Sequence, residues 1–211
     1  MRKLLTSGIV TVLMAASCQA KLLRASNEVD HRVGELRQSV QRGEITERDL
    51  LLEVEALARK HRVLAEASPD AKTYFPTSDT ERCLSALIIL EKIGDKHSLP
   101  LFVEMAGSSD WIIRFNGIAN YIKVAGIIGS LPFIENVPTD PDYPNANRLR
   151  VYLELEQEID KTPLSSEDTK KMCAFLLERI QKEEACAQNA DAIICNHLPD
   201  YANSIQRMAV R

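Results

Sequence analysis

The sequence lacks the short motifs by which many catalytic and nucleotide-binding sites are recognised. It has no HExxH zinc motif, no GxSxG nucleophile elbow, no glycine-rich phosphate loop and no CxxC pair. No segment alternates polar and apolar residues with the period of two that strands require. Lysine and arginine form no basic run, and the 211-residue chain has a formal net charge of −4. This charge argues against a nucleic-acid partner, because phosphate binding needs clustered cations.

Histidines and carboxylates do not form a recognisable site either. The four histidines have no zinc-ligand spacing, so we expect no metal and no cofactor. Glu154, Glu156 and Glu158 are close in sequence, but residues two apart on a helix point in different directions. We predict that they are solvated charges.

Residues 1–20 have the organisation of a secretory signal peptide. Met1-Arg2-Lys3 is a cationic head, and an apolar stretch too short to span a bilayer comfortably follows from Leu4 to Ala16. Small residues come next, as at a cleavage site. The pattern predicts export to the periplasm or the outer surface of the cell.

Cys18 leaves two forms of export open. Ala15-Ala16-Ser17-Cys18 resembles the lipobox of bacterial lipoproteins, whose cysteine is lipidated and becomes the mature N-terminus. The family prefers Leu three residues before the cysteine, where this chain has Ala15. The alternative is ordinary cleavage after Ser17 or Ala20. Lipidation of Cys18 would tether the protein to a membrane surface, and ordinary cleavage would leave it without an anchor.

An internal repeat is the strongest signal in the remaining chain. Arg82 to Phe102 aligns with Arg114 to Ile134 at a constant offset of 32 positions. A fixed period of this size is typical of stacked helical arrays, in which each unit buries a face against its neighbours. Leu87 and Ile118 lie on the repeated apolar positions, and we expect both to be buried.

Helix-end signals divide the chain into two helical regions. Residues 27–66 are expected to form a helical hairpin, interrupted at Gly43, with Thr46 and Asp49 as a capping box for the second helix. Residues 79–211 are expected to form the repeat region. In it, Asp79 or Thr80 begins one helix and Ser109 caps another. The sequence thus predicts an all-α fold: a short α–α superhelix preceded by a hairpin.

Four short motifs resemble a HEAT repeat of the bilin-lyase-like type. They are Ile93-Gly94-Asp95, Ser98-Leu99-Pro100, Asp110-Trp111-Ile112-Ile113-Arg114 and Val124-Ala125-Gly126. The resemblance implies that Asp110, Arg82 and Arg114 help to hold neighbouring units together. The lyases of that family act inside the cell on bilin pigments, which does not match an exported chain. The resemblance therefore predicts a structural unit rather than an activity.

The cysteines beyond the signal segment are even in number, so disulfides are expected in an oxidising compartment. Cys83 and Cys173 lie on apolar stripes and are expected to be buried thiols. Cys186 and Cys195 flank a short turn and are the expected disulfide pair. A Cys173–Cys195 bridge, or four free thiols, remains the alternative.

The sequence favours a binding role over catalysis. In HEAT-like stacks the second helices line the concave side, so Asn116, Asn120 and Lys123, which lie off the apolar stripe of one such helix, are candidates for a binding face. Plain solvent exposure is the alternative for each. We predict an exported interaction scaffold of the cell envelope, bound to another protein or envelope component. An enzyme or accessory factor whose site is not visible in motifs is the alternative.

Overall fold

The protein is all-α in the part that a computed structural model describes. The described residues are 23–68, 76–137, 146–161, 165–186, 199–200, 202–203 and 205–207. They form helices joined by turns, and no strand occurs among them. This result confirms the all-α fold class. The predicted signal segment 1–20, with Cys18, lies outside the described residues.

Eight helices account for most of the described chain. They are α1 (residues 23–41), α2 (Glu47–Ala67), α3 (Ser78–Ile93), α4 (Leu99–Ala106), α5 (Trp111–Gly129), α6 (Leu131–Glu135), α7 (Ala146–Lys161) and α8 (Ser166–Cys186). A 3₁₀ turn at Lys96–Ser98 precedes α4. Over the described ranges, none of the helices combines the length and the apolar character needed to cross a membrane.

The chain divides into two compact units. The first comprises Met1–Ser98 and Ser108–Asn116, and the second comprises Leu99–Gly107 and Gly117–Arg211. Helix α3 packs against α2 in the first unit. The sequence predicts that α3 belongs to the repeat region 79–211, because its apolar pattern matches that of α5, and this division stays a prediction.

The turn between α1 and α2 follows the local signals of the sequence. Gly43 adopts the left-handed conformation, with φ of 71°, and its N–H donates to the carbonyl of Val40. Thr46 Oγ1 accepts a hydrogen bond from the Asp49 N–H at 3.1 Å, and Asp49 Oδ2 accepts from the Thr46 N–H at 2.9 Å. The predicted capping box is confirmed.

Helices α3 and α5 begin at positions other than those predicted. Thr77 caps α3, with Thr80 completing the capping box, so the predicted start at Asp79 or Thr80 is slightly late. Asp110, not Ser109, caps α5, because the Asp110 carboxylate accepts the N–H groups of Ile112 and Ile113. Gly94 ends α3 in the left-handed conformation, as the repeat predicted.

The core of the first unit is aliphatic. Its buried side chains come from α1, α2 and α3 and include Val29, Val33, Val54, Ala58, Ala86, Leu87 and Leu90. The predicted burial of Leu87 is confirmed. The thiol of Cys83 lies in the same core and donates to the Ala58 carbonyl at 3.4 Å. The repeated apolar positions of α3 therefore bury the α3 surface against α2.

A second core lies in the other unit. It joins residues of α5, α7 and α8, among them Ile118, Ile122, Val151, Leu155, Cys173, Leu176 and Ile180. Ile118 is fully buried, as predicted. The α4 backbone approaches α5 closely at Gly117: a Cβ atom there would lie 2.6 Å from the Ala106 nitrogen. Close packing of α4 on α5 thus depends on a missing side chain.

Candidate functional site

Asp110 is a buried carboxylate that accepts several hydrogen bonds. Its side chain is 3% exposed. Oδ1 accepts from the N–H groups of Ile112 and Ile113 at 2.9 and 3.3 Å, and Oδ2 accepts from Thr80 Oγ1 at 2.6 Å. Asp110 therefore caps α5 and also joins it to α3. The HEAT-repeat role that the resemblance implied for Asp110 stays a prediction.

The turn before α5 forms hydrogen bonds with a side chain of α2. Glu66 Oε1 accepts from Ser108 Oγ at 2.6 Å and from the Ser109 N–H at 3.2 Å. Arg114 is buried, and its Nη1 donates to the Ser108 carbonyl at 2.8 Å. Since Glu66 and Arg114 both contact Ser108, the turn is fixed from α2 and from α5.

Arg82 joins α3 to α1. Its Nε and Nη2 donate to Glu28 Oε2 at 3.0 and 2.8 Å, and its Nη1 donates to Asp79 Oδ1 at 3.2 Å. His61 of α2 lies 2.8 Å from the same Asp79 oxygen. Partial burial opposes the charge of Arg82, but the hydrogen bonds and charges of Glu28 and Asp79 outweigh it, and the pKa of Arg82 is raised.

Two further buried carboxylates also have partners. Glu55 accepts from Ser98 Oγ at 2.9 Å and pairs with Arg59 one helical turn later. Glu154 is buried and paired with Arg150. The prediction that Glu154 is a solvated charge is therefore wrong, because α7 turns this position towards the interior. These carboxylates have the contacts of structural groups.

The three predicted binding residues of α5 have different environments. Asn120 is 1% exposed, so its side chain does not reach a surface on which a partner could dock. Asn116 is half-buried, and its amide donates to the Ile112 carbonyl at 2.9 Å. Lys123 is exposed. Of the three, Lys123 is the one whose side chain faces solvent, and a binding role for Asn116 and Lys123 stays a prediction.

Two cysteines, Cys83 and Cys173, are buried thiols. Cys83 and Cys173 both lie in hydrophobic cores, and burial raises the pKa of Cys173. The expected pair cannot be checked in the same way: Cys195 lies outside the described residues, and so does the side chain of Cys186, which ends α8. The disulfide stays a prediction.

Titratable side chains do not gather into a metal-binding group in the described ranges, where no three His, Cys, Asp or Glu residues are placed to share an ion. His97 is exposed, and its Nδ1 lies 2.8 Å from the carboxylate of Asp95. Hydrogen bonds from the His97 backbone and side chain lower the pKa of Asp95. The pair stabilises the turn that leads to α4.

The outer face of α2 carries exposed apolar residues, an unpredicted feature. Leu52 and Val63 are 47% and 56% exposed, and Ala56 and Ala67 are also exposed. These residues are separated by spacings of four, seven and four, so they share one helix face. The sequence of α2 has apolar residues on two opposite sides of the helix. Packing against one core buries only one of these sides, so the other side could have been predicted to be an exposed apolar face.

Comparison with known proteins gives no relative on which to base a function. No family model matches the chain, and neither the curated proteins nor the solved structures include one with significant similarity.

Proposed function

We propose that the protein is an exported α-helical scaffold of the cell envelope that binds another protein or envelope component. One observation carries the proposal: among the described residues, the buried carboxylates Asp110, Glu55 and Glu154 have hydrogen-bond or ion-pair partners within the fold. Asp110 caps α5 and contacts α3, Glu55 accepts from Ser98, and Glu154 pairs with Arg150. A carboxylate with its oxygens occupied in this way is poorly placed for acid–base catalysis. The proposed binding function therefore depends on groups at the protein surface.

Two features of the sequence supply the rest of the proposal. The pattern of residues 1–20 supports a place in the periplasm or on the outer surface, with a lipid anchor at Cys18 as the membrane-bound form. The repeat between α3 and α5 supports HEAT-like units, in which Arg82, Asp110 and Arg114 stabilise neighbouring helices. The Thr80–Asp110 contact between α3 and α5 agrees with this arrangement.

The location is tested by fractionation and intact-mass measurement of the natively expressed protein. The expected mass lacks the first 17 or 20 residues, and acyl chains on Cys18 would identify the lipoprotein form. A cytosolic protein that retains Met1 would contradict export.

The binding role is tested by photo-crosslinking in the native host. A photoreactive amino acid replaces Lys123 in one strain and Lys171 in another; both are exposed lysines on helices of the second unit. We expect a discrete crosslinked partner from position 123 and none from position 171. Equal labelling at both positions, or none at either, would contradict a binding face on α5.

A further inference from the structure

The outer face of α2 has the composition of a helix–helix contact rather than of a solvated surface. Leu52, Ala56, Val63 and Ala67 form its centre, and Glu53 and Lys60 lie along one flank, all exposed. Helix α1 in the same unit is different, because its exposed positions are mainly charged and polar, such as Asp30, Glu35 and Arg37. Exposed apolar residues gathered on one side of a helix favour association with a partner.

The flanking charges of α2 indicate which partner fits. Glu53 and Lys60 are seven positions apart, or two helical turns, so they lie on the same flank of the apolar face. Neither forms an ion pair with another described residue, whereas neighbouring Arg59 pairs with Glu55. One flank therefore presents a negative charge at one end and a positive charge at the other.

A second copy of the same helix, running in the opposite direction, complements this pattern. Under two-fold symmetry each contact occurs twice, with the two residues exchanged between copies. Glu53 of each copy then faces Lys60 of the other. In a parallel pair related by a two-fold axis along the helices, the flank that carries Glu53 and Lys60 lies on opposite sides of the contact in the two copies, so these charges do not meet and the pair gains nothing from them.

Leu52, Ala56 and Val63 fit the same geometry. The axis that exchanges Glu53 and Lys60 passes midway between them, at Ala56 and Leu57. A small exposed residue at the axis lets two helix backbones approach closely. Leu52 of one copy then packs beside Val63 of the other, and this contact also occurs twice.

We propose that two copies of the protein associate through the outer faces of their α2 helices, packed antiparallel about a two-fold axis near Ala56 and Leu57. This inference does not depend on the proposed scaffold function, since its partner is the chain itself. A contact limited to one helix of 21 residues is small for an obligate dimer. We therefore expect a reversible dimer whose population rises with concentration.

Charge reversal tests the proposal on the purified protein by sedimentation across a concentration series. Glu53→Lys and Lys60→Glu should each raise the dimer dissociation constant about tenfold or more, because each creates two like-charge contacts. The double variant restores both pairs and should return to within about threefold of the unmodified protein. Arg37→Glu, on the outer face of α1, is the control and should leave the dimer unchanged. Circular dichroism checks that every variant keeps its helical content.

Three results would overturn the proposal. If the protein sediments as a monomer at every concentration of the series, the proposed dimer does not form. A dimer that neither single reversal weakens would place the interface away from α2. Single reversals that weaken the dimer without recovery in the double variant would exclude the antiparallel pairing.

Discussion

Gly117 sets the distance between α4 and α5 by having no side chain. A Cβ atom there would lie 2.6 Å from the Ala106 nitrogen and 2.8 Å from the Met105 Cβ, so the α4 backbone would have to move. We expect Gly117→Ala to destabilise the protein by about 1–3 kcal/mol, as overpacking does. Gly34→Ala in α1 is the matched control, because nothing lies within 4 Å of the added atom. It should be neutral or stabilising by up to about 1 kcal/mol. Urea denaturation measures both, and equal effects would contradict the packing argument.

Leu87 and Ile88 are neighbours in α3 with opposite environments. Leu87 is fully buried and Ile88 is 42% exposed. Leu87→Ala should therefore cost about 2–5 kcal/mol, through lost burial and the cavity left behind. Ile88→Ala should cost less than about 1 kcal/mol. The difference in the free energy of unfolding is the measurement, and a loss below about 0.5 kcal/mol for Leu87→Ala would show that the repeated stripe does not form the core.

Helix ends were predictable where the signal is local. Gly43, Gly94 and the Thr46–Asp49 box depend on residues within one turn of chain, and all three end or begin helices as expected. The start of α5 was assigned wrongly because Ser109 and Asp110 are both good capping residues. The contact that favours Asp110 comes from Thr80, 30 positions earlier, and no local pattern contains it.

Asp110 can be tested as a cap and as a link between helices. Asp110→Ala removes the acceptor for two α5 N–H groups and for the Thr80 hydroxyl, and should destabilise by about 2–3 kcal/mol. Asp110→Asn keeps an acceptor for the helix N–H groups and should cost clearly less. Thermal and urea unfolding of the two variants provide the comparison. An equal loss in both would mean that the negative charge, rather than the cap, matters.

The capping box of α2 makes the stability of the protein depend on pH, and the direction of this dependence follows from the lowered pKa of Asp49. Hydrogen bonds from the Thr46 side chain and backbone lower the pKa of Asp49 below its usual value. The folded state thus binds the proton less tightly than the unfolded chain, so stability from Asp49 is fully present above the unfolded pKa of about 4. It is lost as pH falls through the folded value. The stability difference between the unmodified protein and Asp49→Asn should therefore shrink between about pH 5 and pH 2. Urea denaturation at several pH values measures the difference, and Asp30→Asn on α1 is the control. The same pH dependence in both variants would contradict the role of Asp49.

At the scale of the whole molecule, the all-α class follows from the sequence but the binding face does not. Gly117 and Asn120 lie four and seven positions after Ile113 and share its face of α5, while Ile118 and Ile122 lie on nearly the opposite face. All five are buried. A single-stripe pattern assigns the face of Asn120 to solvent. A helix covered on two sides has no single stripe, and which neighbours cover it is set by long-range packing.

The C-terminal cysteines connect the location of the whole molecule to its stability. If the signal segment directs export, Cys186 and Cys195 enter an oxidising compartment with eight residues between them. A bridge requires Cα atoms closer than about 7 Å, and closing so short a loop should contribute roughly 2–3 kcal/mol. Peptide mapping of the natively expressed protein without reductant should recover these two cysteines as one linked pair. Cys83 and Cys173, buried thiols in separate cores, should react with an alkylating reagent only after unfolding, and they serve as the internal control. Alkylation of both Cys186 and Cys195 without reductant would exclude the pair and weaken the argument for export, since an oxidising compartment would then have left two nearby thiols unjoined.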